Sequence, residues 1–298
     1  MKFSWLDVSI PFFNTAPAKV PVSVNWFPNR RCNYECHFCF HTNTNEFILP
    51  LEDAKRGLRM LVDAGMRKLN ISGGEPFLQP KYIGEVFKFC KEELHIESCS
   101  VVNNGSKVTE KWLDTYGQYL DVMAISCDSF DTETNIKQGR AENGTATTHI
   151  DNVFKVAQWA KARGIKVKLN TVVTMCVCQS PLTVLPVDPP HSNNWEEDMN
   201  DQIVELAPFR WKVRRPLHNP DQGTDCVVYL VGQVFQVLLL DSENTGAETG
   251  SLRDARKLVI TTEQFQAFLA RHAAQKCLVP EDNEAMKDSY LNLDEQMR

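Results

Sequence analysis

The sequence predicts an α/β protein, a partial (βα)6 TIM-like barrel, on three observations. Short apolar runs alternate with amphipathic segments six times between residues 21 and 213. Four stretches with chemical character, "CNYECHFC", "SGGEP", "NNGS" and "CDSFD", each follow an expected strand directly. Right-handed crossovers would gather all strand C-terminal ends on one rim, so the four stretches would meet there.

Taken in order, "PVSVNWF" (21–27) reads as the first strand, and the cysteine segment is the loop after it. "LEDAKRGLRMLVDAG" sets Leu51, Ala54, Leu58, Leu61 and Val62 along one helical face, with Gly65 as its stop. "RKLNIS" is the next strand and "YIGEVFKFCKEEL" the next helix. "SCSVVN", "EKWLDTYGQY", "DVMAIS" and "IDNVFKVAQWAKARG" continue the alternation. "IKVKLNTVV" is a strand, "EEDMNDQIVELAP" (196–208) a helix and "FRWKV" a strand.

Composition narrows the class. The 298 residues are 43% apolar and 23% charged, enough for one large core. A formal charge of −6 without dense basic runs argues against a nucleic-acid surface. No apolar stretch approaches membrane-spanning length. The N-terminus lacks a signal-peptide pattern and an amphipathic membrane helix, so a cytoplasmic location is expected. Ten cysteines, most of them scattered, fit a reducing compartment better than a disulfide framework.

Cys32, Cys36 and Cys39 stand at Cys-x3-Cys-x2-Cys spacing. Three thiolates can hold a [4Fe–4S] cluster with one iron open to an outside ligand; a zinc site lacking its fourth ligand and packed thiols are the alternatives. In "SGGEP", Gly73 and Gly74 allow close backbone approach, and Glu75 could accept from a ligand ammonium. A tight turn before a helix is the plain alternative. Lys68, Asn70 and Ser72 alternate along one strand, as do Lys168 with Asn170 and Arg210 with Lys212. Basic groups converging on a lumen suit a polyanion; solvated strand edges would also explain them. His41, just past the cysteines, is evenly balanced between that pocket and no role.

Together the cysteines and "SGGEP" resemble the radical S-adenosylmethionine (SAM) enzymes. "CNYECHFCFHT", "NISGGEPFLQP", "LDVMAISCDSFD", "EEDMNDQI", "FQVLLLDSENTG" and "MKDSYLNLDEQMR" resemble the viperin family of antiviral radical SAM proteins, in order after about Pro21. The resemblance implies a radical SAM barrel with a C-terminal extension. It implies a [4Fe–4S] cluster on Cys32, Cys36 and Cys39, and SAM on its open iron with Glu75 at the amine. Ser126, Arg140 and Asn104 become candidates for the SAM carboxylate and ribose; Asn103 stands where the family has serine. Lys68, Asn70, Ser72, Lys168, Asn170, Arg210, Lys212 and His41 become candidates for a nucleoside triphosphate. Tyr290 matches a family tyrosine near the substrate radical. The implied reaction converts the triphosphate, typically CTP, to its 3′-deoxy-3′,4′-didehydro analogue. It also implies an electron donor and contact with iron–sulfur assembly machinery.

Departures from the family pattern divide the chain further. Residues 1–20 form an N-terminal segment, and 21–213 the barrel, with 177–193 reading as an insert. Residues 214–234 read as a second insert, and 235–298 as an extension that ends short of the family's phosphate-covering segment and tail. Retained introns and lineage-specific loops both account for the inserts; continuity of the flanking blocks favours introns, and transcript sequencing decides. Two other functions stay in view: a radical SAM enzyme acting on a peptide or metabolite, and an impaired scaffold. Intact Cys32, Cys36, Cys39 and Glu75 favour chemistry.

Overall fold

The computed structural model describes residues 22–39, 45–175, 193–214, 258–280 and 290–298. The strands are β1 (Ser23–Trp26), β2 (Lys68–Ile71), β3 (Ser98–Asn103), β4 (Val122–Ser126), β5 (Lys166–Val172), β6 (Arg210–Arg214), β7 (Leu278–Pro280) and β8 (Leu291–Leu293). Between them run α1 (Leu51–Asp63), α2 (Pro80–Glu92), α3 (Glu110–Tyr116), α4 (Thr132–Lys137), α5 (His149–Ala162), α6 (Asn200–Leu206) and α7 (Thr262–Arg271).

The sheet order is β7-β6-β5-β4-β3-β2-β1-β8, and every ladder is parallel. Strands β1 to β6 therefore lie in strict sequence order, without the reversal of a doubly wound sheet. That order keeps the crossover helices on one face and leaves the other as a lumen. The C-terminal extension adds what the periodicity did not announce: β7 pairs with β6, and β8 pairs with β1, so it lines both edges. Both added strands are three residues long, too short for an alternation pattern to register.

Period-two alternation sorts the two faces. Trp26, Leu69, Ile71, Val101, Ile125 and Trp211 are essentially unexposed and meet the helices. Each such side chain contributes about 2 kcal/mol of apolar burial. Their neighbours along the strands, Asn25, Asn70, Ser100, Lys168 and Lys212, belong to the opposite face. The sheet curls enough that Tyr290, just before β8, has its ring centroid 5.9 Å from the Lys212 Nζ of β6.

The helices follow local rules. Helix α1 follows Pro50, carries Glu52 and Asp53 in its first turn, buries Ala54 and Leu58, and stops before Gly65 at φ +109°. Helix α7 opens with a Thr261–Gln264 capping box and buries Phe265 and Phe268. The helix expected over 196–208 is shorter, because Glu197 is used elsewhere. Its carboxylate accepts from Ser129 Oγ at 2.6 Å and Phe130 N at 2.7 Å, and the helix begins only at Asn200.

Candidate active site

The cysteine loop leaves the C-terminal end of β1 and is held by the loops after three other strands. After β2, Ser72 N donates to Trp26 O (2.9 Å), Gly74 N to Asn29 O (3.0 Å) and Glu75 N to Arg31 O (2.7 Å). A Cβ on Gly74 would stand 1.9 Å from Arg31 O, and one on Gly73, at φ +115°, 2.7 Å from Asn29 O. What the two glycines admit so closely is the backbone leading into Cys32. After β3, Asn104 Nδ2 donates to Asn33 Oδ1 (3.0 Å) and Asn33 Nδ2 to Ser106 Oγ (2.9 Å). After β4, Glu35 N donates to Gly139 O (3.1 Å) and His37 N to Gln138 O (2.9 Å).

Cys36 is buried, and Cys32 and Cys39 are half-buried. Burial, then the Glu75 carboxylate and the Cys36 thiol, push the Cys32 thiol well above its ordinary range. Three thiolates here need a cation between them. Among the described residues no three His, Cys, Asp or Glu side chains converge as a single ion would require. A cuboidal cluster asks less, since each thiolate meets a different iron; soft sulfur donors suit it, and the loop fits such a cluster.

Glu75 is 1% exposed, and burial raises its pKa to about 7, against the pull of two backbone N–H groups. Those donors are Asn104 N on Oε2 (2.7 Å) and Phe77 N on Oε1 (2.9 Å). Each oxygen keeps a lone pair, so the carboxylate could also take an ammonium. Arg140 is buried in an ion pair with Asp128, and its guanidinium lies 5.6 Å from the Phe38 ring centroid in the cysteine loop. Asp128 Oδ1 also accepts from Val172 N (2.9 Å). Asn103 is turned to structure: Nδ2 donates to Ala124 O (3.1 Å) and Oδ1 accepts from Gly105 N (2.9 Å).

Below this rim, the lumen face is basic. Lys68, Lys166, Lys168, Arg210 and Lys212 share one strand face, and no acidic residue lies on any described strand. Lys168 pairs in register with Arg210, and Asn170 with both Ser126 and Lys212. Lys212 is 3% exposed, and Asn170 Oδ1 is buried without a hydrogen-bond partner. Lys68 and Arg210 open their strands and are exposed. His41 lies outside the described residues, as do nearly all residues of the two expected inserts.

One feature of the lumen was missed from the sequence. Ser100 Oγ donates to Asn70 Oδ1 (2.7 Å), Asn70 Nδ2 to Asn25 Oδ1 (3.1 Å) and Asn25 Nδ2 to Asn292 Oδ1 (3.0 Å). This row crosses β3, β2, β1 and β8. Asn25 within the apolar run "VSVNWF" was its available signal; Asn292 had none, because its neighbours in space are remote in sequence.

A three-cysteine loop on the rim of such a barrel, backed by a buried glutamate from the next strand end, is the arrangement of the radical SAM class. The profile of the radical SAM superfamily matches residues 26–178. The S-adenosylmethionine-dependent nucleotide dehydratase RSAD2 of Danio rerio is 46% identical over 95% of this chain and 68% of its own length. A protein named S-adenosylmethionine-dependent nucleotide dehydratase from a Thermoplasmatales archaeon is 29% identical over 89% of this chain and 77% of its own. The chain belongs to this viperin-type family of radical SAM enzymes, whose cofactors are a [4Fe–4S] cluster and SAM. Solved structures agree on the fold. Methylornithine synthase (PylB) matches with TM-score 0.54 at 15% identity, over 93% of this chain and 72% of its own. Streptococcus suis SuiB bound to S-adenosylmethionine gives 0.52 at 23% identity, over 67% and 42%.

Proposed function

We propose that this chain dehydrates a nucleoside triphosphate, CTP by preference, to its 3′-deoxy-3′,4′-didehydro analogue, as part of antiviral defence. The observation that carries the reading is the lumen: basic groups on one face, no acid on any described strand to oppose them, directly beneath the cysteine rim. A triphosphate is the polyanion that such a partly desolvated basic surface compensates best. The similarity to proteins named nucleotide dehydratases supports the same substrate class.

Cys32, Cys36 and Cys39 would hold the cluster, and Glu75 the SAM amine, with Ser126, Arg140 and Asn104 toward its carboxylate and ribose. When bound, the reduced cluster and SAM supply a 5′-deoxyadenosyl radical, the hydrogen-abstracting agent. Lys168, Arg210, Lys212 and Lys68 would bind the triphosphate. Asn70, Ser72 and Asn170 would orient the sugar and base; the unmatched Asn170 Oδ1 is suited to a ligand hydroxyl or amine. The ribose loses a hydrogen atom from C4′ and hydroxide from C3′; one proton makes that hydroxide water, and one electron from an external donor completes the alkene. Tyr290, whose ring centroid lies 5.9 Å from Lys212 Nζ, would meet the substrate radical. Enclosure in the lumen keeps water from that radical.

The test is release of 5′-deoxyadenosine by the anaerobically reconstituted, reduced protein with CTP, UTP, GTP or ATP in turn. Stimulation by CTP, with a product lighter by one water, is expected. Cleavage of SAM that no nucleotide stimulates would sink the substrate assignment while leaving the cluster assignment standing.

A further inference from the structure

Tyr34 lies midway between Cys32 and Cys36, and its backbone N–H donates to Cys32 Sγ at 3.4 Å. Its ring is buried edge-on against His149, with centroids 5.6 Å apart and planes at 70°. The Tyr34 hydroxyl lies 3.4 Å from His149 Nδ1. His149 is the first residue of α5, is 0% exposed, and its Nε2 has no hydrogen-bond partner. An unmatched buried ring nitrogen is destabilising, and the site tolerates a cost that an apolar ring would avoid. Burial, then the Arg140 charge, hold this imidazole neutral, with its pKa lowered to about 3.

We infer that His149 is a positioning residue for the iron–sulfur cluster, acting through Tyr34. The imidazole fixes the tyrosine ring, the ring fixes the backbone of residue 34, and that backbone keeps its N–H on the Cys32 sulfur. The inference rests on the reading of Cys32 as a cluster ligand. Hydrogen bonds to ligand sulfur stabilise the more negative, reduced cluster and so raise its reduction potential. Loosening the Tyr34–His149 contact must therefore move the potential in the negative direction. Neither residue need touch SAM or nucleotide for this to happen.

The experiment compares wild type with Tyr34→Phe, His149→Phe and His149→Asn after anaerobic reconstitution. Iron and sulfide content, the midpoint potential and the electron paramagnetic resonance spectrum of the reduced cluster are read for each. Tyr34→Phe and His149→Phe are expected to hold a full cluster with a more negative potential and an altered spectrum. His149→Asn, whose amide can occupy the position of Nδ1, is expected to return both toward wild type. Fully loaded Tyr34→Phe and His149→Phe proteins with the wild-type potential and spectrum would overturn the inference. Should the His149 variants fail to fold, Tyr34→Phe decides alone, because it keeps the ring and removes only the hydroxyl. A wild-type protein that takes up no cluster would overturn the ligand assignment beneath it instead.

Discussion

Glu197 shows how one side chain can reshape the element around it. Its carboxylate leaves the expected helix to accept from Ser129 and Phe130, and burial raises its pKa to about 7 from an ordinary 4.5. The native state therefore holds this proton more tightly than the unfolded chain does. Below about pH 4.5 both states are protonated and there is no penalty; the penalty grows as pH rises toward 7 and is constant above it. Glu197→Gln cannot ionise, and its amide can still accept from Phe130 and meet Ser129. Relative to wild type, the variant should gain stability between pH 5 and pH 8, by about 2–3 kcal/mol at most. Thermal unfolding across that range checks it, and a difference independent of pH would show that Glu197 is not the group responsible. Burial also raises the Asp128 carboxyl, but there the opposing pull comes first from the Arg140 guanidinium paired with it.

At the scale of elements, the loops after β2, β3 and β4 act as a clamp on the cysteine loop. Backbone pairing does most of this, and the glycines at 73, 74 and 139 are required because carbonyls of residues 29, 31 and 35 occupy the space of a Cβ. Elsewhere an element accepts strain without visible return. Helix α6 ends at Ala207, which adopts φ +39°, a left-handed conformation unfavourable to any residue with a Cβ. Ala207 is exposed, so a glycine there loses no packing. Ala207→Gly is expected to stabilise the fold by about 0.5–1 kcal/mol, seen as a higher midpoint in urea with an unchanged slope. A lower midpoint would mean that the entropy of the unfolded glycine outweighs the relieved strain.

The whole molecule concentrates basic strand residues in a chain of net charge −6. That distribution suits the proposed small polyanion better than a nucleic acid polymer. Lys212 is the most enclosed of these bases, and enclosure would strengthen the proposed interaction with phosphate. Replacing it by Met keeps its apolar stem and removes the charge. Lys212→Met should raise the KM for the nucleoside triphosphate about 10- to 100-fold, equivalent to about 1.4–2.7 kcal/mol. SAM cleavage in the absence of nucleotide should be unchanged. Steady-state kinetics checks both, and an unaltered KM would move the triphosphate elsewhere in the lumen.

At this largest scale the division between sequence and structure is clear. Periodicity alone determined six βα units, the helical faces, and the placement of four motifs on one rim. Spacing alone brought out Cys32, Cys36 and Cys39, and parity separated Lys168 and Lys212 from Leu169 and Trp211. These are local properties, dictated by the 3.6 and 2.0 residue repeats of helix and strand. Only the tertiary structure decided the rest: that Gly73 and Gly74 admit backbone, that Arg140 answers Asp128, that Asn25 and Asn70 join Asn292, and that Tyr290 meets Lys212. It also decided that two short C-terminal strands line both sheet edges. Each of these contacts joins residues from different loops or strands, many of them far apart along the chain. No periodicity within one segment records such a meeting; it exists only once the sheet has curled.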